Sequence, residues 1–219
     1  MVEKHTLKSE GAHFALLRRL SPSLRHRLMG DLQPVTLLAE LAERQMSKAT
    51  PDLEKTKDTI LKARQQARTA VASTMNVLAW ITREENPDVM LKEGIDACVD
   101  LLRTDSEVRG VRITRGEFHA AHTVVGRRAL RTVTAAALIA AVDMRPAASE
   151  IQVSCAMDGD NVVVRFEARY SGEDAHEDLG GDTRPLSWDD VDVIAADEGV
   201  IIERQLDPFV LRFRIPVMG

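Results

Sequence analysis

Between residues 10 and 85, glycine occurs only at Gly11 and Gly30, and apolar residues recur at helical spacing almost throughout. Such an opening constrains the chain to long helices. Leu17, Leu20, Leu24, Leu28, Val35, Leu38 and Ala42 follow one another at intervals of 3, 4, 4, 7, 3 and 4 residues, a coiled-coil-like stripe. Ser21-Pro22, a capping residue followed by a good first helical residue, predicts the start of the first long helix. A short helix over 11–20 leads into it. Pro34 removes the bond to the Gly30 carbonyl and predicts a bend. Thr50-Pro51 predicts the start of a second helix running to about Arg83, with Asp52 and Glu54 in its first turn. Its stripe is Leu53, Ile60, Ala67, Val71, Met75, Leu78 and Ile81. Two antiparallel helices cannot bury both stripes alone, whereas two copies of the hairpin can, as a homodimeric four-helix bundle.

Glu84-Glu85-Asn86-Pro87-Asp88 separates this region from a different kind of sequence, and its proline predicts a hinge. We therefore expect a helical domain over 1–86 and a second domain over 87–219. The second reads as helix 88–103, strand 110–114, helix 127–143, strands 149–157 and 161–169, helix 188–197, and strands 199–204 and 209–216. Met157-Asp158-Gly159-Asp160-Asn161 is a hairpin turn between two β-branched runs. The expected fold class is α+β, with helices on one face of a mainly antiparallel sheet.

Composition excludes several classes. No run approaches the roughly 18 to 20 apolar residues of a membrane span, and the opening MVEKHTLKSEG has no apolar signal region. A cytoplasmic location is expected. Cys98 and Cys155 stand alone, which argues against a disulfide framework or a cysteine zinc site. His119 and His122, spaced i, i+3, have no third ligand candidate nearby. The net charge of −5 and an aromatic content of 4% argue against a nucleic-acid partner.

His26 is the candidate reactive residue. At about 100° per residue it sits roughly 200° from Leu24, opposite the apolar stripe and open to solvent. An exposed imidazole has a neutral form at pH 7 that can attack phosphorus. Arg18, Arg19, Arg25 and Arg27 place a positive field around it, suited to an acidic, phosphorylated partner.

The stretch His26-Arg27-Leu28-Met29-Gly30-Asp31-Leu32-Gln33 resembles a motif of bacterial sensor histidine kinases, H-R-[VI]-K-N-N-L-Q, at His26, Arg27, Leu32 and Gln33. It departs at Met29, Gly30 and Asp31. A rival register on the commoner H-E-L-R-T-P motif uses Pro34 and puts Met29 in the histidine position, leaving no phosphoacceptor. The resemblance spans nearly the whole chain. It implies a dimerisation and phosphotransfer bundle followed by an ATP-binding domain of the GHKL type.

The second domain resembles that family in scaffold more than in site. Met90 to Ile113 is similar to its opening helix and strand. Leu130-Arg131-Thr132-Val133 with Leu138 is similar to the start of the N-box helix. In that register the two N-box asparagine positions fall on Ala136 and Ala140, and a methyl group cannot hold Mg²⁺. The adenine-binding aspartate becomes Ala168, and the glycine after it becomes Tyr170. Gly180-Gly181 is the one remnant of a phosphate loop. Residues 171–199 carry ten acids against Arg184, a net charge of −9, where a kinase has its ATP lid. An anionic lid would repel a nucleotide triphosphate; the segment reads otherwise as a plain solvated loop, or as a partner-selecting surface. No cofactor and no metal are expected.

The expected function is a histidine phosphotransferase of a two-component phosphorelay. His26 carries phosphoryl groups between aspartates of response-regulator receiver domains, which supply the Mg²⁺ themselves. The alternatives are a non-catalytic pseudokinase scaffold that binds a response regulator, and a histidine kinase with unusual ATP contacts.

Overall fold

A computed structural model describes residues 2–81, 88–144, 148–170, 184–206 and 209–216. Within it, helix α1 (Val2–Met46) and helix α2 (Leu53–Ile81) are followed by β1 (Asp88–Met90), α3 (Leu91–Val108), β2 (Arg112–Phe118), β3 (Val124–Gly126) and α4 (Arg127–Met144). The chain continues with β4 (Ala148–Asp158), β5 (Asn161–Tyr170), α5 (Trp188–Asp197), β6 (Ile201–Leu206) and β7 (Phe209–Pro216). Contacts divide it into two units, residues 21–84 in one, and residues 1–20 with 85–219 in the other. The expected division at residue 86 therefore misses the first twenty residues, which belong with the second unit. The expected hinge over 84–88 lies mostly outside the described residues.

The α/β unit is built on a five-stranded sheet of order β2-β4-β5-β7-β6. β2 and β4 are parallel, and every other pairing is antiparallel. A parallel neighbour demands a crossover, and α4 lies between β2 and β4 in sequence to provide it. The β4–β5 hairpin closes at Asp158↔Asn161, with Gly159 at φ 59 in the first turn position. That conformation suits a two-residue primed turn and disfavours any residue with a Cβ. β1 and β3 form a separate two-stranded ribbon that periodicity did not reveal, since three residues are too few to show alternation.

The three helices α3, α4 and α5 pack together, and α4 is their centre. From Val133 to Ala141 it is buried on every side, and five of those nine residues are alanine. A helix buried all round carries no polar face. α5 starts with a capping box in which the Ser187 side chain accepts from the Asp190 N–H and the Asp190 carboxylate accepts from the Ser187 N–H.

The first half of α1 belongs to this unit by burial as well as by contact. Ser9, Ala12, Ala15, Leu16, Arg19 and Leu20 are all buried, an i, i+3, i+4 row that makes one face of a helix. Helix α1 therefore runs straight through Ser21-Pro22, which is not a helix start. Pro22 still leaves the Arg18 carbonyl without its intrahelical partner. The Arg19 side chain, only 6% exposed, grips Asp143 near the end of α4, 2% exposed. Arg19 Nε donates to Asp143 Oδ2 at 3.1 Å and Nη2 donates to Oδ1 at 2.6 Å. Arg109 Nη1 stands 3.3 Å from the same carboxylate, and the Leu186 N–H donates to it at 3.0 Å.

In the helical unit, α1 shelters Leu24 and Ala42 and half-buries Leu28, Val35 and Leu38, as the sequence stripe predicts. On α2 the sheltered row is instead Thr56, Thr59, Ala70, Ser73 and Val77. The helix begins at Leu53, and Asp52 rather than Thr50 caps it, its Oδ1 accepting from the Lys55 N–H at 3.0 Å. The apolar stripe of α2 lies about 120° further round and is exposed at Leu53, Ile60, Val71, Met75 and Leu78.

The Arg19–Asp143 geometry yields a test. Arg19→Ala leaves a buried carboxylate short of its closest partner and should cost about 3 kcal/mol. Arg18→Ala, one residue earlier and exposed, should cost under about 0.5 kcal/mol. Urea unfolding of the two variants, followed by far-ultraviolet circular dichroism, measures the difference.

Candidate functional site

His26 lies on the exposed side of α1, within the helical unit. The residue two positions before it, Leu24, is 7% exposed and points the opposite way. One turn further on stand Met29, half exposed, and Gly30, where an added Cβ would meet nothing within 4 Å. The imidazole is thus bordered by a thioether and a bare stretch of backbone, which leaves room for an incoming surface. Arg25 and Arg27 are both exposed and flank it on either side of the helix. Ser23, three residues before His26, is half-buried.

The other two arginines of the expected positive field differ. Arg18 is exposed but falls in the α/β unit. Arg19 is not a surface residue at all: it is committed to Asp143, and a buried, paired guanidinium cannot also serve a partner. The sequence signal for this was the row Ser9, Ala12, Leu16, Arg19, Leu20, which competes with the stripe through Leu17 and Leu24. Asp143, a lone carboxylate after an alanine-rich helix, carried no signal by itself.

The positions matched to nucleotide contacts are dry. Ala136 and Ala140 on α4 are completely buried, and Ala168 on β5 is 5% exposed. Each is part of the apolar core. The Tyr170 side chain, Gly180-Gly181 and the acids from Glu173 to Asp182 lie outside the described residues. Of the described acids that follow, Asp189 is exposed and the other four have partners. Asp190 takes a bidentate hydrogen-bonded pair from Arg184 at 2.6 and 2.9 Å. That contact, together with Ser187, holds its carboxyl down at about 2 despite partial burial. Asp192 accepts from Arg204 at 2.6 Å, Asp197 accepts from Ser9, and Glu198 meets Arg128 at 2.7 Å. These carboxylates hold α5 in place.

The remaining candidates are ordinary in their surroundings. His119 pairs with Glu117 at 2.8 Å on the surface. Burial pushes the Cys98 thiol up to about 12, which makes it unreactive. Among the described residues there is no grouping of three or more metal-ligating side chains, and no helix is long and apolar enough to cross a membrane.

No protein-family model matches the sequence, and no curated protein matches it. Among solved structures, the chain is similar to the catalytic domain of histidine kinase ThkA, at 20% identity over 61% of this chain and 96% of that one, with a TM-score of 0.45. It is similar to the Acinetobacter baumannii histidine kinase AdeS at 13% identity over 87% of this chain and 98% of that one, with a TM-score of 0.44. The Erythrobacter litoralis blue-light activated histidine kinase EL346 shares 11% identity over 91% of this chain and 63% of its own, with a TM-score of 0.45.

Because His26 faces solvent, His26→Gln should leave the midpoint and slope of urea unfolding unchanged, within about 0.5 kcal/mol. A larger loss would place the ring in a packed environment.

Proposed function

We propose that the protein is a histidine phosphotransferase of a two-component phosphorelay, with His26 as the phosphoacceptor. The observation that carries this reading is an imidazole held on the open side of a long helix, beside the unobstructed backbone of Gly30. The match of His26, Arg27, Leu32 and Gln33 to the kinase motif supports it. In the forward step a neutral ring nitrogen attacks the phosphorus of a receiver's aspartyl phosphate. The P–O bond to the aspartate breaks, its carboxylate leaves, and a phosphoramidate forms on His26. Transfer onward reverses the step at a second receiver, which brings its own Mg²⁺. Arg25 and Arg27 act through their field on the acidic partner, so their removal should weaken docking in a salt-dependent way.

The buried alanines at 136, 140 and 168 support a domain that does not use ATP. They leave no side-chain ligand for a metal or for adenine at the matched positions. Titration calorimetry at millimolar Mg-ATP should give no binding heat, and a micromolar dissociation constant would restore the kinase reading.

The working form is proposed to be a homodimer, with the exposed face of α2 covered by the same face of a second copy. An apolar row of Ile60, Val71 and Met75 is costly in water and has the spacing of a bundle seam. Val71→Glu with Met75→Glu should halve the mass measured by light scattering and leave helix content intact. Leu24→Glu strikes the sheltered row and should unfold the hairpin. A folded, monomeric wild type would oppose the dimer.

The decisive experiment incubates the chain with receiver domains carrying radiolabelled aspartyl phosphate, and separately with labelled ATP. Acid-labile, alkali-stable label from the receiver on wild type, and none on His26→Gln, is the expected result. Label on His26→Gln places the nucleophile elsewhere. Receiver binding with no label on wild type favours the scaffold, and label from ATP favours a kinase.

A further inference from the structure

The N-terminal half of α1 is held to the α/β unit at two places, and only one of them can titrate near neutrality. At Arg19 the partners are a guanidinium, charged at every working pH, and the Asp143 carboxylate. At the other end, Ser9 Oγ donates to the Asp197 carboxylate. One turn further on, His13 meets the last turn of α5. Its Nδ1 is 3.0 Å from the Ser9 carbonyl and 3.9 Å from Asp197 Oδ2. Its Nε2 is 3.8 Å from Glu198 Oε1. That nitrogen is buried and has no hydrogen-bond partner among the described residues.

The geometry favours a second proton on the ring. With Nδ1–H donating to the Ser9 carbonyl, the neutral ring turns the lone pair of Nε2 towards a carboxylate. Protonation replaces that lone pair with an N–H. The C-terminal end of α5 adds the negative end of the helix dipole. The charged groups facing His13 are Asp197, the last residue of α5, and Glu198, which caps it, with Arg128 and, further along α4, Arg131 beyond Glu198. Arg128 lies 2.7 Å from Glu198 Oε1. Two carboxylates thus stand against one closely paired arginine, and a protonated His13 completes the balance.

We propose that His13 is a protonation-controlled latch that fastens the N-terminal segment of α1 to the C-terminal end of α5. The Glu198 carboxylate raises the His13 pKa above its ordinary value of 6.5; burial opposes this, while the Ser9 carbonyl and Asp197 add to it. A raised folded-state pKa means that the stabilisation is fully present below about 6.5. It is lost as pH rises through the folded value. The latch therefore loosens on the alkaline side while the Arg19–Asp143 grip persists. The same segment influences both ends of α5, because Asp143 also accepts the Leu186 N–H just before that helix begins. The latch does not depend on phosphotransfer.

Backbone amide exchange of residues 9–20 and of α5 tests it, corrected for intrinsic chemical rates and referenced to the β4–β5 hairpin. Wild type should lose about tenfold in protection between about pH 6 and about pH 8.5. His13→Gln should be weakly protected at both pH values. His13→Lys, with a fixed charge on a reach long enough for the same carboxylates, should be well protected at both. Unchanged wild-type protection across the range overturns the proposal, as does a wild-type profile retained by His13→Gln. A ring titration by nuclear magnetic resonance in the intact wild type is the second measurement. A His13 pKa at or below 6.5 also overturns it, even where a variant fails to fold.

Discussion

The contact on which the architecture depends is the buried pair of Arg19 and Asp143. A carboxylate near the C-terminal end of a helix is unfavourable, because it meets the negative end of the helix dipole. Burying it to 2% exposure adds a desolvation cost of several kcal/mol. Both are offset only because the site converges: a bidentate guanidinium from α1, a second guanidinium from Arg109 just after α3 and a backbone N–H from the segment leading into α5. Four parts of the chain meet at one side chain. That junction ties the first part of α1 to the α/β unit.

The two units put polar side chains to opposite uses. In the α/β unit, Asp190, Asp192, Asp197 and Glu198 are engaged by Arg184, Arg204, Arg128, His13 and Ser9, and α4 is an alanine-rich core element. Its polar groups hold structure. In the helical unit His26 stands on an open face with its flanking arginines extended into solvent. In the proposed phosphotransfer the receiver would bring the metal and the charge stabilisation, so such an open face would suffice.

Much of the fold was legible in the sequence. α5 and β7 fall on their expected residues, and α4, β4 and β5 end within one residue of expectation, because each has a strong period or a strong turn signal at its border. The position of His26 opposite Leu24 followed from angular arithmetic alone. The failures have a common cause. Ser21-Pro22 and Thr50-Pro51 are correct local start signals, overridden where tertiary contacts or a better cap at Asp52 outweighed them. The surface arginines could not be sorted from the buried one, because Arg18 and Arg19 differ only by 100° of helix rotation, and it takes Asp143 to choose between them.

What the sequence by itself determined was the period of each element, the side of α1 on which His26 stands, and the small apolar side chains at positions 136, 140 and 168. These are local properties, fixed by spacing and by side-chain chemistry. Only the tertiary structure decided which unit the first twenty residues join, which row of α2 is sheltered, and which charges are spent internally. Such outcomes depend on partners more than a hundred residues away, as with Arg19 and Asp143 or Ser9 and Asp197. No periodicity encodes them, because the free energy that settles them exists only once both desolvated groups are in contact.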